Sequence, residues 1–151
     1  MKINQSSAKG LNLIKTFEGL SLKPYLCPAG IPTISYGLTY YPDGRKVKMT
    51  DKPISEFEAS SMLSHVLKHY EQSVDSYTRD DITQGQFDAL VSFAYNCGVS
   101  NLKSSTLLKK VNANPNDATI RQEFLKWNKG GGKVLAGLTK RRTAEADLYE
   151  S

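Results

Sequence analysis

Three side chains in the stretch FEGLSLKPYLCPAGIPTISYG, from Phe17 to Gly37, are of types that do chemistry: Glu18, Cys27 and Thr33. Cleaving a glycosidic bond takes one group that gives a proton to the departing oxygen. It takes a second that attacks the anomeric carbon or activates a water. A glutamate among apolar neighbours keeps its proton near neutral pH, and Phe17, Leu20 and Leu22 lie close to Glu18 in the chain. Taken alone, Glu18 also reads as a solvated acid at a helix end, where a carboxylate is mildly unfavourable. A hydrolytic site would be expected to show two carboxylates, and this stretch holds one.

The elements that must position these groups are legible around them. Leu11, Ile14 and Phe17 recur at helical spacing after Ser6 and Ser7, predicting a first helix that ends near Gly19 with Glu18 in its last turn. From Leu22 to about Tyr41, Pro24, Pro28, Gly30, Pro32 and Gly37 break helices while Tyr25, Thr33, Ile34 and Tyr36 favour strands. Short antiparallel strands are expected there, with YPDGRKVKM adding one more beyond a Pro42-Asp43-Gly44 turn.

The rest reads as helices. A capping box at Ser55 and Glu58 opens a long one, carried by Met62, Val66, Tyr70, Val74 and Tyr77 to about Thr78. A second box at Thr83 and Gln86 opens FDALVSFAYNCG, apolar on most sides and so expected to be central and buried. Ser104 to Val111, a stripe of Ile120, Phe124 and Trp127, and Leu138 to Tyr149 after a GGG loop complete the set. The expected architecture is α+β: a small β-containing lobe over about 20–55 against a helical lobe over about 80–151 with the N-terminal helix. Glu18 would face a ligand cleft where the two meet.

Composition narrows the classes. Hydrophobic residues make up 39% and charged ones 23%, as in soluble globular chains. No run approaches the roughly 20 apolar residues of a membrane span, and MKINQSSAKGLNLIK lacks the apolar stretch of a secretory signal. The net charge of +5 suits a polyanion, either nucleic acid or an anionic cell envelope. No RNA-binding signature or zinc-finger spacing accompanies it, and Arg141 and Arg142 read as a solvated basic face. Cys27 and Cys97 are the only cysteines, without metal-ligand spacing. Cys97, at the end of an apolar helix, reads as a small buried side chain.

The order Glu, eight residues, Cys, five residues, Thr at Glu18, Cys27 and Thr33 resembles the phage lysozymes (endolysins) of glycoside hydrolase family 24, many of which carry Asp at the second place. The likeness continues through ITQGQFDALVSFAYNCG (Ile82–Gly98), KSSTLLKKVN (Lys103–Asn112) and EFLKWNKGGGKVLAGLTKRRTAEADLY (Glu123–Tyr149), covering most of the chain. The resemblance implies a single lysozyme-like domain over 1–151, mainly helical, with no cofactor and no metal. It implies hydrolysis of the β-1,4 bond between N-acetylmuramic acid and N-acetylglucosamine in peptidoglycan, causing host lysis and phage release. Glu18 would be the general acid, Cys27 an anion or base for water, and Thr33 the group that holds that water. Thr39, Tyr95 and Ser105 match positions that line the sugar cleft; Tyr95 and Asn96 read as stacking and amide hydrogen-bonding groups for acetamido substituents, or equally as helix core and cap. The implied protein is a monomer, waiting in the host cytoplasm until a holin admits it to the cell wall, without stable membrane insertion and without nucleic acid as partner. Relatives often read TIGYGH where this chain reads TISYGL, so Ser35 replaces a glycine and Leu38 a histidine. An alternative in another class is a catalytically impaired, lysozyme-derived wall-binding or scaffold domain.

Overall fold

Gly19 stops the first helix. It sits at φ +75, a conformation favourable for glycine, and its N–H closes onto the Lys15 carbonyl at 3.0 Å. In this computed structural model, which describes residues 3–151, that helix is α1, Ala8–Glu18. The chain then forms β1 (Ser21–Leu26) and β2 (Pro32–Ser35), an antiparallel pair in which Tyr25 opposes Thr33 and Leu26 opposes Pro32. The YPDGRKVKM stretch does not become a strand. Its Tyr41–Gly44 turn closes at 2.9 Å, and Tyr40 and Lys46 make only an isolated bridge. Five of those nine residues are charged or proline, and little apolar surface holds them to a sheet.

The helices follow in order: α2 (Glu56–Tyr77), α3 (Gln84–Cys97), α4 (Val99–Ser104), α5 (Thr106–Ala113), α6 (Ile120–Leu125) and α7 (Ala136–Glu150). Both capping boxes form. Ser55 and Glu58 exchange bonds at the head of α2, and Thr83 and Gln86 do so at the head of α3. The expected helix at Ser104–Val111 is displaced, because Ser105 is an extended cap that ends α4 and starts α5. Between α6 and α7 the glycine loop is a hairpin, β3 (Lys129–Gly130) with β4 (Lys133–Val134). Gly131 and Gly132 both take positive φ, as a two-residue hairpin turn requires.

Contacts divide the chain into two compact units. In Ile14–Lys68, Ile14, Ile34, Tyr36, Leu38, Val47, Ala59, Met62, Leu63 and Leu67 are buried. In His69–Ser151, with the residues up to Leu13, α3 packs on α7 and α4, and α6 packs on α7. As its apolar pattern predicts, α3 is buried almost all round from Gln86 to Ala94. Phe93 meets Phe124 and Trp127 edge-on, at 5.9 and 5.4 Å between ring centres, so half-buried Trp127 packs against this aromatic core. No helix among the described residues is long and apolar enough to cross a membrane.

Candidate active site

Glu18, Cys27 and Thr33 all fall in the Ile14–Lys68 unit. Glu18 is the last residue of α1, half-buried. Its carboxyl reaches the segment just past β2: a Cβ added at Gly37 would lie 3.4 Å from Glu18 Oε1. Gly37 itself takes φ +84, which L side chains rarely adopt. Two features therefore keep that position small, the backbone conformation and the acid beside it.

Cys27 and Thr33 are set by the turn of the β1–β2 hairpin. Cys27 follows β1 directly, its N–H bonds the Ile31 carbonyl at 3.1 Å, and its carbonyl accepts from Gly30 at 2.8 Å. Pro28 occupies the second turn position, where its fixed φ suits the bend. The Ile31 N–H is the main influence holding the Cys27 thiol below its ordinary pKa. Burial opposes this, while the Ala29 N–H and the Thr33 hydroxyl add to it. Hydrogen-bond donors favour the charged form of an acid, so the thiolate is the form this turn stabilises. Thr33 is buried at 3% exposure, and its Oγ1 donates to the Ile31 carbonyl at 2.8 Å. With its proton on that carbonyl, the hydroxyl keeps its lone pairs as acceptors.

The other expected contacts are dispersed. Thr39 is half-buried beyond β2, with its carbonyl accepting from the Val47 N–H at 2.9 Å. Tyr95, half-buried on α3, stands edge-on to Tyr70 at 5.1 Å. Asn96 is exposed and accepts a hydrogen bond from Arg142 Nη2 at 2.6 Å. Ser105 is 4% exposed, its hydroxyl donating to the Leu102 carbonyl and accepting from the Leu108 N–H, which makes it a helix cap. A pocket of about 370 Å³ includes Asn96, Asn101, Trp127 and Lys129 in its lining, and neither Tyr95 nor Ser105 contributes to it. A larger groove of about 740 Å³, bordered by Tyr41, Arg45, Asp51 and Phe57, contains none of the three candidate catalytic groups.

A family model described as phage lysozyme matches residues 15–145. The chain belongs to the phage lysozyme family. An endolysin of Bacillus phage B103 is 46% identical over 149 residues, covering 99% of this chain and 54% of that one. The chain thus spans about half the length of the Bacillus phage relatives it matches. The SAR-endolysin of Haemophilus phage HP1 is 33% identical, covering 96% of this chain and 81% of that one. Among solved structures, an endolysin from Escherichia coli O157:H7 phage FAHEc1 superposes with a TM-score of 0.89 at 38% identity, covering 99% of this chain and 96% of that one.

The two departures in TISYGL now have structural content. Ser35 takes φ +62, the left-handed region where a glycine would be at ease, and it is fully buried. Its hydroxyl donates to the Ala59 carbonyl at 2.9 Å, a bond no glycine can make. Leu38 is buried and its backbone exchanges both bonds with Ile34, so it fills the interior of its unit. Arg141 and Arg142 overturn the expectation of a solvated basic face: they are 4% and 0% exposed. Both face Glu145, four and three residues on, which is itself fully buried. Arginine side chains are tolerated inside a protein when paired in this way. The i, i+3 and i, i+4 spacing was the available signal for this cluster. Cys97, expected to be buried, is half-buried and accepts from Arg142 Nη1.

Proposed function

We propose that this chain is a lysozyme that hydrolyses the β-1,4 bond between N-acetylmuramic acid and N-acetylglucosamine in peptidoglycan. The carrying observation is that a member of the phage lysozyme family keeps Glu18, Cys27 and Thr33, with the Cys27 thiol drawn toward its anionic form by donors of its own turn. Glu18 donates its proton to the glycosidic oxygen as the bond breaks. A water, accepted by Thr33 and stripped of a proton by the Cys27 thiolate, attacks the anomeric carbon from the opposite face. The products are a hemiacetal of inverted configuration and a free hydroxyl on the departing sugar; solvent returns the proton from the thiol to Glu18. Thr39, Tyr95 and Asn96 are assigned to contacts with the glycan. No cofactor enters this scheme.

Wild-type protein is expected to release reducing ends from purified peptidoglycan, and Glu18→Gln to release none. The first anomer seen by NMR should be inverted relative to the substrate; early release of the retained anomer would reject direct water attack. Cys27→Ser should lose on the order of 10²–10⁴-fold in turnover, as removal of a general base does. Cys27→Asp should retain part of it. Equal turnover in wild type and Cys27→Ser would assign the sulfur to packing. We further propose that the chain acts as a monomer that reaches the wall from the host cytoplasm through a holin pore. Expression in host cells should then cause lysis only when a holin is supplied, and lysis without one would point to another route.

A further inference from the structure

Arg142 on α7 is enclosed by partners that fix its guanidinium. Its Nε lies 3.0 Å from Glu145 Oε1, an ion pair in which the hydrogen is not aimed at the oxygen. Nη1 donates to the Cys97 sulfur and Nη2 to Asn96 Oδ1, while the group lies 5.2 Å from the centre of the Phe93 ring. Glu145 is held in turn by the Ser92 hydroxyl and by Arg141 Nε at 3.3 Å.

A guanidinium only donates, so the Asn96 atom facing it must be the amide oxygen. The Cys97 thiol points at the same atom from 3.8 Å, a second donor demanding the same assignment. Turning the amide over would set NH₂ against NH₂ and leave a donor of buried Arg142 without an acceptor. Asn96 therefore offers its NH₂ outward, and it lines the 370 Å³ pocket. Asn101 lines the same pocket with the opposite polarity. Its Nδ2 commits one N–H to the Cys97 carbonyl at 2.7 Å, leaving Oδ1 as the acceptor it can present beside the second N–H. Trp127 and Leu138 add apolar surface. Beside Lys126 and Lys129, which also line the pocket, the Asn96 donor, the Asn101 acceptor and the apolar wall complement a secondary amide, which carries a C=O, an N–H and a short apolar end.

We infer that the Glu145–Arg142 pair is a positioning device that locks the Asn96 amide NH₂-outward, so that the Asn96–Asn101–Trp127 pocket binds a secondary amide of the wall polymer. This rests on the proposed lysozyme reading and deepens it. Arg142 acts through Asn96 and touches no ligand. The amide has two sources in that polymer, the acetamido groups of the sugars and the peptide bonds of the stem.

Asn96→Asp separates the pocket from the scaffold. The carboxylate still accepts from Arg142, and more strongly, but it presents an acceptor where the amide presented a donor. In a Glu18→Gln background, binding is measured by titration calorimetry with two probes, an N-acetylglucosamine tetramer and a free stem tetrapeptide. The parent is expected to bind at least one, and the de-N-acetylated tetramer to bind no better than background if the sugars are the source. Asn96→Asp should weaken the bound probe about 10- to 100-fold while its melting temperature stays level or rises, a combination that a purely structural role would not produce. Arg142→Lys should weaken the same probe and lower the order parameter of the Asn96 side-chain amide in ¹⁵N relaxation. The probe lost in Asn96→Asp names the source. Equal binding by Asn96→Asp and its parent, or no binding of either probe by the parent, overturns the inference. If wild type releases no reducing ends from peptidoglycan while these binding differences persist, the lysozyme reading fails and the pocket assignment stands.

Discussion

Cys27 and Cys97 sit in surroundings that pull their thiols in opposite directions. Donors of the hairpin turn, the Ile31 N–H foremost, lower the first, whereas burial raises the second despite its arginine neighbour. Alkylation by iodoacetamide follows the thiolate fraction. Followed by mass spectrometry across pH, the midpoint for Cys27 should fall below that of an ordinary thiol and that for Cys97 above it; coincident midpoints would remove the case for an activated Cys27. Ser35 offers a second test at this scale. Its left-handed backbone costs on the order of 1–2 kcal/mol for a residue with a Cβ, offset by about 1 kcal/mol from the bond to Ala59. Ser35→Ala keeps the strain and loses the bond, so urea denaturation should show a loss of about 1 kcal/mol. Ser35→Gly loses both and should stay within about 1 kcal/mol of wild type. The candidate residues were picked out by the family-like order of Glu18, Cys27 and Thr33, because a single acid at a helix end also reads as a solvated one. The strain at Ser35 was not, since serine carries no sequence signal for positive φ and only the comparison with glycine-bearing relatives hinted at it.

At the scale of elements, legibility followed local interactions. The boxes at Ser55–Glu58 and Thr83–Gln86 and the all-round apolar pattern of α3 depend on residues within one turn or one helix, and they appear as read. The burial of Arg141 and Arg142 depends on Ser92 and Phe93, about 50 positions away, and no window along α7 contains that information. The β3–β4 hairpin hid for another reason: its strands are two residues each, and lysine and glycine carry little strand preference. Close packing between elements is equally invisible in sequence and gives a paired prediction. A Cβ at Gly85 would stand 2.5 Å from the Leu148 carbonyl, where α3 meets the end of α7, while one at Gly137 in α7 meets nothing within 4 Å. Gly85→Ala should cost about 1–3 kcal/mol or more through overpacking. Gly137→Ala should gain up to about 1 kcal/mol from helix propensity. Melting temperatures of the two variants should therefore move in opposite directions, and a shared direction would contradict this account of where α3 is tight.

At the scale of the whole molecule, the net charge of +5 bears on how the chain would find an anionic wall. The basic residues are spread along the sequence, and the two most conspicuous, Arg141 and Arg142, are buried and paired. What remains is a diffuse positive field, which favours accumulation at a polyanion and contributes little to recognition of any one sugar. Such a field is screened as the Debye length falls from about 30 Å at 0.01 M salt to about 10 Å at 0.1 M and 3 Å at 1 M. Clearing of permeabilised Gram-negative cells should accordingly slow several-fold between 0.01 and 0.5 M salt. Hydrolysis of a soluble, uncharged N-acetylated oligosaccharide should hardly change over the same range, because no distant attraction gathers the protein there. Glu18→Gln separates bond cleavage from charge alone: clearing that survives in the variant and disappears with salt would be cationic disruption of the envelope. Parallel salt dependence on both substrates would instead place the decisive charges within contact of the glycan.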